Sequence, residues 1–164
     1  MRWEGPNLIG RAYPFGVVHI LELLDQLRSE GRLKTRGKTP EALTFHDPCQ
    51  IVRRGGVIEP PRRLLGDVAA DFREMSDPGV WNWCCGGGGG VSANPRADAL
   101  RLKVFTRKKN QIEATGAKTL VTACANCRIV IEEGLEANNL PLKVVGLTEL
   151  VAQYLDDAVD GGSS

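Results

Sequence analysis

Five cysteines carry the most distinctive chemistry of this 164-residue chain: Cys49, the vicinal pair Cys84-Cys85, and Cys124-Ala125-Asn126-Cys127. An odd number cannot pair completely within one chain, and adjacent cysteines fit ordinary disulfide geometry badly. Thiolates are soft ligands for zinc and for iron–sulfur centres. Thirty-four residues separate Cys49 from Cys84 and 38 separate Cys85 from Cys124. A site with such gaps is assembled by the fold, not by one local knuckle. Metal or redox chemistry is therefore favoured over a disulfide framework.

The local context favours thiolates. In His46-Asp47-Pro48-Cys49, Asp47 is placed to cap a helix with Pro48 at its first position. Cys49 would then sit in the first turn, where the helix dipole and free N–H groups lower a thiol pKa. Five consecutive glycines, Gly86 to Gly90, follow the vicinal pair. They let the backbone approach an inorganic core closely, and Gly86, Gly87 and Gly88 are the candidate cofactor contacts. His46 is a candidate proton donor to a leaving thiolate; a hydrogen bond that orients the site is the competing reading. Trp81 and Trp83 are candidates to wall the site from water. A four-cysteine zinc site stays open, although it leaves the fifth thiol unused. A thioredoxin-like Cys-x-x-Cys and a phosphate-cradling glycine loop are also open, but no Gly-Lys-Ser/Thr follows the glycines.

The elements that must position these residues alternate. A helical stripe of Val17, Ile20, Leu21, Leu24 and Leu27 predicts a helix over 16–30, with His19 inside it and Gly31 as its stop. Ala42 to Phe45 reads as a buried strand ahead of Cys49. Pro60 and Pro61 open a helix towards Ala70, and Asp71 to Met75 is a weaker strand. Asn94-Pro95 starts a helix to about Thr115, ended by Gly116. Thr119 to Ala123 is a buried strand ahead of Cys124, followed by a helix over 125–136, a strand over 142–145 and a helix over 148–155. This order predicts an α/β fold: a small parallel sheet with helices on both faces, Rossmann-like in its layers. Cys49 and Cys124 each follow a strand, so the metal site falls at the carboxyl ends of the strands. Residues 1–15 are expected as an irregular lead-in, 16–159 as one cysteine-rich domain, and 160–164 as a disordered tail.

Composition fits that size. The chain is 42% hydrophobic and 25% charged, with a net charge of +1 that argues against nucleic-acid binding. No apolar run reaches transmembrane length and no secretory leader opens the sequence, so a cytoplasmic domain without membrane insertion is expected. The sum hides an asymmetry. Residues 96–118 carry net +5 and residues 132–160 net −6. The basic stretch, extended by Arg53, Arg54, Arg62 and Arg63, is a candidate docking face for an acidic protein.

The motifs His46-Asp47-Pro48-Cys49, Cys84-Cys85-Gly86 with its glycine run, and Cys124-x-x-Cys127 resemble the cysteine-rich CCG domain over residues 41 to about 132. That domain occurs in heterodisulfide reductase and in glycolate-oxidase and lactate-utilisation iron–sulfur proteins. It also occurs in the K subunit of the membrane complex associated with dissimilatory sulfite reductase. Trp81-Asn82-Trp83 with the long glycine run most resembles the last of these. The resemblance implies that Cys49, Cys84, Cys85, Cys124 and Cys127 hold a [4Fe–4S] cluster, non-cubane as in heterodisulfide reductase. It implies reductive cleavage of a disulfide, or of a trisulfide on a small acidic sulfur-carrier protein. A place at the cytoplasmic side of a membrane complex goes with the second of these. The competing functions are a zinc-stabilised interaction module and an electron-relay domain of a hydroxy-acid oxidase. Relatives usually carry a second such domain or a ferredoxin-type domain. The chain is thus expected to be the catalytic end of a longer polypeptide, with its electron donor in other subunits or domains.

Overall fold

The computed structural model describes residues 4–156. Ten regular elements run along them: α1 (Glu4–Ile9), α2 (Ile20–Ser29), β1 (Thr39–His46), α3 (Glu59–Val68), β2 (Ala69–Phe72), α4 (Asp98–Thr115), β3 (Thr119–Thr122), α5 (Ala125–Ala137), β4 (Lys143–Gly146) and α6 (Leu147–Gln153). The sheet order is β2-β1-β3-β4, and every pairing is parallel. The expected α/β architecture is therefore present. β1 has β2 on one side and β3 on the other, so the direction of winding reverses between β1 and β3. In open parallel sheets the crevice at such a reversal, outside the carboxyl ends of the strands, is where ligands bind.

Pleating sends successive residues to opposite faces. Leu43, Phe45, Val121 and Val145 enter one buried cluster with residues of α2, α3 and α6, such as Leu21, Leu64, Val68 and Leu150. Leu120 and Val144 enter a second cluster with Phe105 and Ile112 of α4, Val130 and Ile131 of α5, and Cys85 and Cys127. The register pairs Thr44 with Leu120 and His46 with Thr122, which puts these four on the second face.

Several boundaries differ from the sequence expectation. The lead-in is not wholly irregular, since Glu4–Ile9 is helical. The first long helix starts at Ile20, not Gly16, because His19 is its N-cap and not an internal residue. Its ring accepts the Leu21 N–H at 3.2 Å, while Glu22 accepts the His19 N–H at 2.8 Å. α3 ends at Val68 and passes straight into β2, so the strand begins at Ala69 rather than Asp71. Asn94 caps only a short 3₁₀ turn, Pro95–Ala97, and α4 begins at Asp98. Gly116 ends α4 in the left-handed conformation, φ 62°, as its position predicted. The tail over 160–164 lies outside the described residues.

Candidate metal centre

β1 delivers the first part of the site. His46 is its last residue and is fully buried. Asp47 does not cap a helix as expected. Its carboxylate takes a two-pronged bond from Arg62, at 3.0 and 2.7 Å, and the Gly79 N–H at 2.7 Å. Pairing to a buried Asp47 and to Glu74 holds the Arg62 guanidinium firmly charged despite its burial. Cys49 precedes a π-helical turn, Gln50–Arg54, closed by the Gly55 N–H on the Gln50 carbonyl at 3.0 Å. Its thiol is not acidified. Burial and the neighbouring Cys84 push its pKa up, outweighing Arg53 and Asn82. The expectation failed because a single wide turn offers a weak dipole, whereas crowded thiols oppose ionisation directly.

The crossover from β2 to α4 brings the vicinal pair to the same edge. Arg53 straps this segment down through the carbonyls of Val80, at 2.7 Å, and Asn82. Asn82 itself is buried, and its amide bonds the Asp47 carbonyl and lies 3.9 Å from the Cys49 sulfur. Cys85 Sγ is 3.3 Å from Cys127 Sγ. Hydrogen bonding to Cys127 leads the causes that push Cys85 up to about 11; Cys85 and then burial push Cys84 higher still. Cys49, Cys84, Cys85 and Cys127 thus form a continuous series of sulfur neighbours. Cys124, the N-cap of α5, packs with Cys84 against the same buried cluster.

The glycine run divides in two. The Gly86 N–H points at Cys84 Sγ, 3.3 Å away, and the Gly87 backbone bonds the Cys85 sulfur. Gly87 is clamped to the start of α5, its carbonyl accepting from Asn126 Nδ2 at 3.0 Å and Ser92 Oγ at 3.3 Å. Gly88, by contrast, is exposed with open space around it. Gly89 and Gly90 adopt positive φ, 66° and 79°, which turns the chain towards α4.

His46, Cys85 and Cys127 offer ligand atoms that all lie within 4.8 Å of one another. Both His46 ring nitrogens are buried without a hydrogen-bond partner. Burial, followed by the charge of Lys108, holds the imidazole well below its usual pKa and therefore neutral. Lys108 is the residue that sequence reasoning missed. It falls within the basic stretch read as a candidate docking face, yet it is 2% exposed. Its spacing from Arg101, Phe105 and Ile112, all on the buried side of α4, was the available signal. Arg101 is buried too, bonded to Glu133 and Asp98. Arg62 and Arg63 are committed to Asp47, Glu74 and Asp25. The proposed basic face is thus narrower than the charge count implied. Trp81 is 79% exposed and walls nothing; Trp83 is partly buried, with the Arg107 guanidinium 4.3 Å from its ring centroid.

Crowded thiols with raised pKa, unpartnered imidazole nitrogens and N–H groups aimed at sulfur fit a thiophilic metal centre. Coordination removes the thiol protons outright and supplies the positive charge that lets neighbouring sulfurs ionise together.

A parallel α/β domain with a cysteine centre at its winding reversal defines the class, and residues 43–132 match the CCG cysteine-rich domain. The chain belongs to that family. It is 35% identical, over 96% of its length, to a subunit of the dihydromethanophenazine:CoB–CoM heterodisulfide reductase of Methanosarcina acetivorans. It is 32% identical, over 85% of its length, to the Hdr-like menaquinol oxidoreductase iron-sulfur subunit 2 of Archaeoglobus fulgidus. A third relative is a subunit of the fumarate reductase (CoM/CoB) of Methanothermobacter marburgensis, 36% identical over 70% of the chain. The matched regions cover only 38%, 26% and 23% of those proteins. No described helix is long and apolar enough to cross a membrane.

Proposed function

We propose that this is an iron–sulfur redox domain in which Cys49, Cys84, Cys85, Cys124 and Cys127 hold a [4Fe–4S] cluster of the non-cubane, five-thiolate kind. The observation that carries the reading is the run of sulfur neighbours from Cys49 through Cys84 and Cys85 to Cys127 at the winding reversal. A cluster bound there supplies one-electron transfer. Gly86 and Gly87 stabilise sulfur charge through their N–H groups. His46, buried beside Cys85 and Cys127 with both ring nitrogens unpartnered, would donate a hydrogen bond to sulfur once the cluster is bound.

The reaction this reading assigns is cleavage of a disulfide or trisulfide. For a disulfide, the S–S bond breaks, and two electrons with two protons yield two thiols. Names of relatives that include heterodisulfide reductase and menaquinol oxidoreductase subunits support this class. The electrons come from other subunits or a ferredoxin-type domain, at the face of a larger complex.

Anaerobic reconstitution tests the reading. About four irons and four acid-labile sulfides per chain are expected; one zinc without sulfide overturns it. The compact His46, Cys85 and Cys127 group is the observation favouring a zinc module instead. Cys85→Ser separates the two: a lost or altered EPR signal supports the five-thiolate cluster, whereas unchanged metal content supports zinc. A change in EPR on adding a thiol or trisulfide to the oxidised protein supports substrate chemistry, and no change assigns the domain to electron relay.

A further inference from the structure

Lys108 occupies a position where packing calls for an apolar residue. Arg101, Phe105, Lys108 and Ile112 share the buried stripe of α4, and Phe105 and Ile112 enter the same cluster as Cys85 and Cys127. The Lys108 ammonium donates to Gln111 Oε1 at 2.8 Å and lies 3.8 Å from the sulfur of Met75, a member of that cluster. Gln111 is itself fixed, its amide bonding the Ser76 carbonyl, Ser76 Oγ and Asp77 Oδ2 at 2.9, 3.3 and 3.1 Å.

Among the described residues no carboxylate forms an ion pair with Lys108. A buried ammonium without a counter-charge is costly, and it is retained only where something negative compensates it. Asp47 is within electrostatic reach but is already engaged by Arg62 and Gly79. Burial opposes the charged form of Lys108 most strongly, and the other groups that favour it, once ionised, are Cys85, Cys49 and Cys84. His46, which also feels this cation, is neutral and offers no counter-charge.

We infer that Lys108 is a positioning residue whose fixed positive charge, held by Gln111 and Met75, offsets the negative charge gathered by the thiolates of the cysteine centre. It thereby strengthens metal binding there and makes the centre easier to reduce. The second clause rests on the iron–sulfur reading above; the first needs only that the cysteines bind metal.

The experiment uses cobalt(II) alone as probe, read through thiolate-to-metal charge-transfer absorbance in the full chain at one pH. Lys108→Met and Lys108→Gln should each bind cobalt about tenfold more weakly, the order one charge contributes in a partly screened interior. Lys108→Arg, which keeps the charge, should recover most of that loss. The metal-free Lys108→Met chain should melt no lower than wild type, because the substitution relieves an uncompensated buried charge. A merely structural lysine predicts the reverse. Lys108→Gln retains a donor to Gln111, so it decides the matter if the methionine variant does not fold. Equal cobalt affinity in all variants, or an arginine variant as weak as glutamine, overturns the inference. In reconstituted protein the neutral variants should show a lower midpoint potential by EPR-monitored titration. If wild type takes up no iron and sulfide, the iron–sulfur reading falls while the cobalt series still decides on Lys108.

Discussion

The two faces of the sheet use the same four strands to opposite ends. On one face Leu43, Phe45, Val121 and Val145 meet α2, α3 and α6 in a hydrophobic cluster, and the buried Thr119 hydroxyl beside Leu43 donates to Glu41 at 2.8 Å. On the other, Thr44, His46 and Thr122 stand beside Leu120 and Val144, under helices that contribute Lys108, Gln111 and Cys127. Thr44 Oγ1 and both His46 nitrogens have no partner there. The second face carries buried polar groups, each costly alone, beside Cys85 and Cys127. The difference is that one side of a thin sheet pairs what polar groups it buries, whereas the other joins an apolar cluster to cysteines and unpartnered polar atoms, with pleating as the partition between them.

The partition breaks most visibly at Phe45. Its side chain is 1% exposed and sits in the apolar cluster, with Arg62 5.9 Å from its ring centroid. Phe45→Ala should cost about 3–5 kcal/mol in denaturant unfolding of the metal-free chain. Below its melting transition, the variant should still load metal to wild-type stoichiometry. Loss of loading in a folded Phe45→Ala protein would show that the faces are not independent.

A second test uses pH on the metal-free chain. Burial lowers Lys108 to about 8 against an ordinary value of 10.5. Below pH 8 both folded and unfolded states hold the proton, and the burial cost is present in full. Between about 8 and 10.5 the unfolded state binds more protons, so stability from this group rises with pH. Cys85, raised from 9.0 to about 11, acts in the opposite sense as the native state keeps its proton longer. Comparison with Lys108→Met isolates the lysine. The stability gap between variant and wild type should narrow from pH 7.5 to pH 10 in urea titrations. A constant gap would place the ammonium in water and move Lys108 off the chemical face.

How much of this was legible in sequence follows the same partition. The cysteine centre was, because strands ending just before Cys49 and Cys124 define one sheet edge whatever the side-chain details. The parallel order was legible from alternating elements. The polar surroundings were not. Charge counting placed Lys108 and Arg101 on an exposed docking face, although their phase along α4 is that of core residues. Asp47 read as a cap from its neighbours Pro48 and Cys49, but Arg62, fifteen residues on, claims its carboxylate. Local signals named these residues correctly and gave them the wrong partners, since partners are chosen by tertiary contact.

The smallest expected effects sharpen the boundary of the chemical face within the glycine run. A Cβ on Gly87 would stand 2.6 Å from Val130 Cγ2 and 2.9 Å from Asn126 Nδ2. Val130 is buried, so the loop must lift from α5, weakening the Asn126 bond and shifting Gly86 and Gly87 from the sulfurs. Gly87→Ala should cost about 1–3 kcal/mol and weaken cobalt binding as well. A Cβ on Gly88 meets nothing within 4 Å, and Gly88 is not among the positive-φ glycines. Gly88→Ala should therefore stay within about 0.5 kcal/mol of wild type and leave cobalt binding unchanged. Equal loss of metal in both variants would mean that the whole run, and not its first two residues, closes over the centre.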